Sequence, residues 1–479
     1  MNKDEKKILN KINDTTNLKF DFTELENRID YDQYQKKLHK NKKSKITKNI
    51  VTIVSCTIVL VFIATPFLMM LTTTSRQRVY ARHYTLNEVE AIQNSSFKSL
   101  NKITYPSGEL SNYKVEDEYL SAIRDFSYNI YQAYDKKENF SFSPLSLYSN
   151  LEIISLSSKN NMVINEFDEI LGLNRFRRKE NYRNLYRNNF FYNNDGSIQL
   201  YNGIFLSNEY EPNQNFINEL QSYYTEAFQL DFKNEQDIEL MLDWVNQKTN
   251  ESNFIDKDFL NLNHDYLIYY FTTLYFNNYW RTKFFQSENT FDYFYPTDGV
   301  PYKTTYMNHS YNGKIYDYDK YYSVYDYYKN DLKIQYLIPK NSADNIYSLL
   351  SNINFINENE DNLVKSPKII NLTLPKFTST SSCDFITTLK NVGFNHLFNN
   401  NSLDGVFTDY HDVTLSELKQ KNKISFTEDG TTIKSVTMGA GAKNTSILTY
   451  EIRLNQPFIY VIYDRNNLPL YIGHFDNIQ

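Results

Sequence analysis

Ile50 to Leu71 (IVTIVSCTIVLVFIATPFLMML) is a run of 22 residues without one charge, in a chain whose mean hydropathy is only -0.59. At a rise of about 1.5 Å per residue the run makes a helix of about 33 Å, enough to cross a hydrocarbon core of about 30 Å. Pro66 is compatible with a kinked span. A buried core helix rarely stays uncharged for so long, so the run reads as a transmembrane segment. Seven lysines precede it (Lys36, Lys37, Lys40, Lys42, Lys43, Lys45 and Lys48), whereas Arg76, Arg78 and Arg82 follow. This asymmetry places the N-terminus in the cytoplasm and everything beyond the span outside the cell. A cleaved signal peptide fits less well, because the apolar core is too long and no small-x-small site follows it. Ile53-Val54-Ser55-Cys56 looks like a lipoprotein box, but too few apolar residues precede Cys56. An uncleaved signal anchor is therefore expected, with 1–49 a cytoplasmic tail, 72–117 an extracellular stalk, and the cell membrane the location.

Beyond residue 118 the composition is that of a globular domain. Charged residues make up 23% of the chain and the net charge is -6, which gives a polyanion such as nucleic acid no electrostatic footing. Cys56 and Cys383 are the two cysteines, and a span at 50–71 keeps them apart, which excludes a disulfide-stapled scaffold. Leu120, Ile123, Phe126 and Ile130 recur at helical spacing from Glu118 onward, and helices are also read over 143–157 and 236–249. Strands are read at 198–206, 322–328, 332–338, 368–377, 413–427 and 450–463. Leu267 to Phe276 is almost wholly apolar and aromatic, the pattern of a central strand buried on both faces. The mixture is α+β, in one large domain over 118–479.

Enzyme chemistry is not signalled. The seven histidines form no H-E-x-x-H pair, and the chain has no C-x-x-C, no G-x-S-x-G and no P-loop. No metal and no cofactor are called for. Glu358, Glu360 and Asp361 read as a solvated acidic loop.

A series of short segments carries more. Phe142-Ser143-Pro144-Leu145-Ser146-Leu147, Asp243-Trp244-Val245-Asn246-Gln247-Lys248-Thr249, Leu274-Tyr275-Phe276 with Trp280, Leu374-Pro375-Lys376-Phe377, Glu428-Asp429-Gly430-Thr431, Asn455-Gln456-Pro457-Phe458 and Leu470-Tyr471-Ile472-Gly473 follow one another in register. Together they resemble the serpin family across residues 118–479. The resemblance implies about eight or nine helices, three β-sheets and an exposed reactive loop near the C-terminus. It further implies a suicide substrate: a protease of the serine or cysteine type attacks the loop, forms an acyl-enzyme, and is trapped as the cleaved loop inserts into the main sheet.

By that resemblance Glu428, Gly430, Thr431, Thr432 and Ile433 form the hinge of the loop, and Thr431 is the first side chain to enter the sheet. Ser143 and Ser146 match the shutter beneath the sheet, and the family's Asn–His shutter pair falls on Thr272 and Gln420. Trp280 matches the tryptophan of the breach. The scissile bond is counted to Asn444–Thr445, with Lys443–Asn444 the alternative; lysine would suit a trypsin-like protease and asparagine an asparagine-specific cysteine protease.

The residues read on their own agree with a loop that becomes a strand. Thr431 to Thr445 contains no proline, and alternation puts the uncharged Thr431, Ile433, Ser435, Thr437, Gly439 and Gly441 on one face. A plain β-hairpin turning at Asp429-Gly430 is the competing reading. Three departures bear on function: Ile433 to Val436 replace small residues after the hinge, Thr272 and Gln420 replace the shutter pair, and Asn150 and Glu152 sit on a helix the family buries. Glu152 would need a partner there. A non-inhibitory serpin-fold surface or binding protein is accordingly the alternative function.

Overall fold

The computed structural model describes residues 95–134, 139–261, 266–297, 299–341, 358–365, 368–431 and 448–477. The apolar run 50–71 with its flanks, and the loop from Thr432 through Lys443, Asn444 and Thr445, lie outside them. Among the described residues no helix is long and apolar enough to cross a membrane.

Helix α1 (Asp117–Ala133) carries Asp117 and Glu118 in its first turn, where the helix dipole favours negative charge, and buries Tyr119, Ile123, Phe126 and Ile130. After β2 (Phe140–Phe142), helix α2 (Pro144–Ser155) starts on Ser143, whose Oγ accepts the Ser146 N–H at 3.1 Å, with Pro144 at the first helical position. Every residue of α2 is buried. The polar helices α3 (Asn161–Ile170) and α4 (Arg175–Asn188) follow, capped by Asn160 and Asn174.

The largest sheet runs β1 (Lys98–Ser99), β5 (Thr225–Leu230), β4 (Gly196–Ser207), β6 (Ile268–Tyr279), β15 (Gly430–Thr431), β14 (Lys419–Phe426) and β13 (Phe377–Asp384), with β3 (Phe191–Asn193) on β4. Helices α5 (Gln214–Leu220), α6 (Glu235–Thr249) and α7 (Lys257–Leu260) intervene along the chain, and α8 (Ile386–Asn391) follows β13. A four-stranded sheet orders as β16 (Leu448–Arg453), β12 (Lys368–Pro375), β8 (Tyr302–Tyr311) and β7 (Thr290–Phe294). The six-stranded sheet orders as β2, β18 (Pro469–Phe475), β17 (Phe458–Tyr463), β11 (Lys333–Pro339), β10 (Tyr321–Tyr327) and β9 (Lys314–Asp317). Eight α-helices and three sheets are thus present among the described residues. Helix α2 packs against both β6 and β18, so the core lies between the largest sheet and the six-stranded one.

Several expectations need correction. The domain opens at Ser96 rather than at residue 118: Lys98 and Ser99 pair with Gln229 and Phe228, and the Asn101 amide donates to the Thr225 carbonyl. Residues 96–117, expected to be stalk, therefore belong to the domain. The stretch 413–427 is strand only from Lys419 to Phe426 before the turn into β15. The stretch 450–463 is two strands in different sheets, parted at Pro457, which supplies no N–H to a ladder. Strand β6 is central, yet only Thr273, Phe276 and Asn278 along it are buried. Its edge toward β14 is paired, among the described residues, only at Asn278 and Tyr279. The acidic segment is solvated at Glu360 and Asp361, which are exposed, but anchored at Glu358, which accepts from Tyr318 OH (2.5 Å), Tyr325 OH (3.1 Å), the Gln335 amide (2.5 Å) and Ser323; Glu360 also accepts from Tyr316 OH (2.9 Å).

Candidate functional site

Strand β14 ends in a tight turn with Glu428 and Asp429 at its tip. The Thr427 N–H donates to the Gly430 carbonyl (3.0 Å) and the Gly430 N–H returns to that of Thr427 (3.2 Å). This is a two-residue hairpin, one position earlier than the Asp429-Gly430 turn of the competing reading, and its second strand is β15. Gly430 pairs with Tyr279, and Thr431 pairs with both Asn278 and Phe426. A Cβ at residue 430 would stand 2.1 Å from the Asn278 carbonyl oxygen, so glycine is required by the close backbone approach.

Thr431 is only 1% exposed, and its Oγ1 shares a 2.7 Å hydrogen bond with Tyr328 OH. Its expected role changes accordingly: it is not the first side chain still to enter the sheet, because it already lies within it. By alternation the next inward position is residue 433. Glu428 is mostly covered and tied down, accepting from Lys376 Nζ at 2.9 Å and the Asn289 amide at 2.8 Å. Burial alone would raise its carboxyl; Lys376, Asn289 and a backbone N–H outweigh that and hold it below the ordinary carboxylate value. Thr432 and Ile433, the other expected hinge residues, are outside the described residues.

Trp280 roofs the hinge. It is fully buried, its indole Nε1 donates to the Thr427 carbonyl (2.9 Å), and its backbone N–H donates to that of Asp429 (3.0 Å). Its ring stacks on Tyr328 at 4.5 Å between centroids. Burial pushes the Tyr328 phenol well above its ordinary value, which keeps it a hydroxyl facing Thr431.

The shutter residues meet differently from the expectation. Thr272 and Gln420 do not bond each other. Thr272 Oγ1 donates to Asn202 Oδ1 (3.0 Å), while Gln420 grips the start of α2, accepting the Ser143 N–H at 2.7 Å and donating to the Ser143 carbonyl at 3.1 Å. Glutamine is long enough to reach that backbone, and Asn422 holds it there through a 3.0 Å hydrogen bond to Gln420 Oε1. Ser143 is occupied as the helix cap, and Ser146 Oγ reaches the Thr272 carbonyl at 3.4 Å. The two halves of the sheet are therefore linked through the N-terminus of α2, with β6 held by Ser146 and β14 by Gln420.

Glu152 has its partner. Both it and Arg178 are fully buried, with Arg178 Nε 3.1 Å from Glu152 Oε2 and Nη1 2.6 Å from Asp168. Tyr119 OH adds a 3.4 Å hydrogen bond to Glu152. Burial raises the Glu152 carboxyl; it also works against the Arg178 cation, which Glu152 and Asp168 hold charged.

Sequence reading missed Tyr328, Arg178 and Asn422. Arg178 was within reach, since a buried Glu152 demands a cation, but Arg175, Arg177, Arg178 and Lys179 share one helix and nothing local selects among them. Tyr328 is one of 42 tyrosines and carries no distinguishing signal. Among the described residues no group of His, Cys, Asp and Glu is arranged to hold a metal ion.

The fold is shared with known proteins. The serpin (serine protease inhibitor) family profile matches residues 121–478, and the chain belongs to that family. It is 23% identical over 384 residues to serpin B4 of Homo sapiens, covering 74% of this chain and 97% of that protein. It is 25% identical over 387 residues to a serpin-like protein of Acanthamoeba polyphaga mimivirus, covering 76% and 91%. The native state of the thermophilic serpin tengpin superposes with a TM-score of 0.67 at 21% identity, covering 80% of this chain and all of that one. The domain accordingly has the protease-inhibitor fold of a family that targets serine proteases rather than catalysing a reaction.

Proposed function

We propose that the chain is a suicide-substrate inhibitor of proteases, held at the cell surface by residues 50–71 with its domain outside. The observation that carries this reading is the β14–β15 hairpin: the opening of the reactive loop already stands between β6 and β14, with Thr431 buried. Insertion is then extension of an existing hairpin rather than nucleation of a new strand.

The register supports the reading. Strand β15 is antiparallel to both neighbours, and β6 continues for ten residues beyond Asn278, to Ile268. A loop continuing in this register runs level with β6 through residue 441, which is where the proline-free, uncharged inner face ends. A protease bound through Asn444, or through Lys443, forms an acyl-enzyme at that carbonyl. Extension of the hairpin then carries the ester about 40 Å along the sheet at about 3.3 Å per residue. Each added residue gains ladder hydrogen bonds on two sides, and that gain drives the movement.

The test is to mix the purified outer domain with a trypsin-like serine protease and with an asparagine-specific cysteine protease. A covalent complex that survives denaturation, together with a large rise in thermal midpoint after loop cleavage, is the expected result. Cleavage with neither complex nor added stability refutes inhibition and leaves the serpin-fold binding or surface protein, a reading favoured by Ile433 to Val436.

A further inference from the structure

Among the described residues no backbone ladder joins β6 to β14; Gly430 and Thr431 alone stand between them, at one end. The remainder of that seam is held by side chains. One of those contacts crosses the outer face of the sheet, and it starts from a helix that belongs wholly to the other half.

Helix α6 is fixed to β4 and β5. The Trp244 ring lies over Gly203, where an added Cβ would come within 2.7 Å of it, and its Nε1 donates to Glu226. Lys248 adds a 3.4 Å ion pair to Glu226 and stands 4.5 Å from the centre of the Tyr201 ring. The helix ends on Asn250, in the left-handed region at φ 55°, and the Asn250 amide donates to Tyr275 OH on β6 (3.4 Å). Glu251 then turns out and pairs with Lys423 on β14.

The register places this bridge squarely on the seam. Thr431 pairs with both Asn278 and Phe426, so those residues are level. Tyr275 and Lys423 lie three positions below them, and Thr272 and Gln420 of the shutter three below those. The ion pair therefore sits midway between hinge and shutter.

We propose that Glu251 and Lys423 are a positioning pair for loop insertion: an ionic strap that keeps the two halves of the sheet together and slows their separation. The inference rests on the insertion reading above. Both side chains are partly exposed, at 36% and 41%, so the strap has the strength of a surface pair. Such pairs are worth about 0.2–1 kcal/mol, which converts to a rate change of about 1.4- to fivefold. They are also screened by salt.

The experiment uses a synthetic peptide of the loop sequence 431–441, annealed into the intact outer domain and followed by the gain in thermal stability, so that no protease is needed. Lys423→Glu and Glu251→Lys should each speed annealing about two- to fivefold, and the double charge reversal should restore the parent rate. Raising the salt concentration should speed the parent and leave Lys423→Ala unchanged, a response that loss of packing would not produce. Equal annealing rates and equal salt responses in all variants would overturn the strap. Should the peptide anneal to no variant, the insertion reading fails. The strap is then judged by the double-mutant cycle on thermal unfolding of the intact domain, where additivity overturns it and coupling upholds it.

Discussion

Replacing Thr431 by arginine tests the hinge most directly, and the structure sets the size of the effect. The Thr431 side chain is buried, bonded to Tyr328 OH at 2.7 Å and flanked by Asn278 and Phe426. Among the described residues the carboxylate that bears on Tyr328 is Asp326, which stands 3.1 Å from His309 Nε2, so a guanidinium there would have to compete with His309 for it. Leaving an unpaired cation inside costs at least several kcal/mol. The other course is for β15 to leave the sheet, forfeiting its ladder bonds at about 1 kcal/mol each and leaving the Tyr328 hydroxyl unsatisfied at about 1–3 kcal/mol. Because residue 431 is already inside before cleavage, an arginine that stayed there would burden both states alike; the second course is the one that penalises insertion, by about 3 kcal/mol or more, so hydrolysis of the acyl-enzyme gains about 100-fold over trapping. The measurement is the ratio of covalent complex to cleaved product at equal protease. Thr431→Arg should yield almost only cleaved product, with the hinge open to amide exchange before any protease is added. Thr431→Ser keeps the hydroxyl and should behave nearly as the parent. If Thr431→Arg traps protease as well as the parent does, the hairpin is not the start of insertion and the argument falls.

Glu152→Ala leaves the buried Arg178 with only the partly exposed Asp168 as a counter-charge, and should destabilise the domain by about 3 kcal/mol by urea unfolding, whereas Glu152→Met with Arg178→Met should recover most of the loss. Glu428 has a lowered folded pKa, so its contribution is complete above the ordinary carboxylate value of about 4.3 and disappears as pH falls through the lower folded one. Between pH 6 and pH 3 the urea midpoint of the parent should therefore fall more steeply than that of Glu428→Gln; parallel curves would contradict the Lys376 and Asn289 attachment. External protease applied to intact cells should digest the domain beyond residue 96 and spare residues 1–49, and the reverse pattern would invert the assigned orientation.

What could be read in the chain divides along physical lines. Short-range signals were legible: Ser143-Pro144 as a helix start, and the turn at Asp429-Gly430 of the competing hairpin reading, displaced by one position in the structure. Contacts set by packing over long separations were not. Gln420 reaches Ser143 across 277 residues, and Tyr328 reaches Thr431 across 103. Tyrosine is abundant enough in this chain that Tyr328 does not stand out, and nothing local to Gln420 names Ser143 as its partner. The polar helix α4 hid its periodicity because Arg178 and Asn181 are buried beside Tyr182, so charge did not mark its solvent face. Its cap, Asn174, was the available signal. The break at Pro457 was likewise present in the sequence, and the change of sheet that follows it was not.

The hinge and the first described strand lie at opposite ends of the largest sheet. Gly196 of β4 is level with Asn278 and the hinge, whereas Ser207, at the other end of β4, is level with Leu230, next to the Gln229 that pairs with Lys98. Eleven residues of β4 separate the two levels, about 35 Å at strand spacing. On the proposed anchored reading, a leash entering at Ser96 would hold the molecule by its foot, with the bait at the head. On the proposed trapping mechanism the captured protease would then be hauled from head to foot, toward the leash. The length of 72–95, at most about 80 Å if fully extended, would set the headroom. On the anchored reading, shortening that stretch should spare the first encounter with a protease and obstruct the last part of its journey.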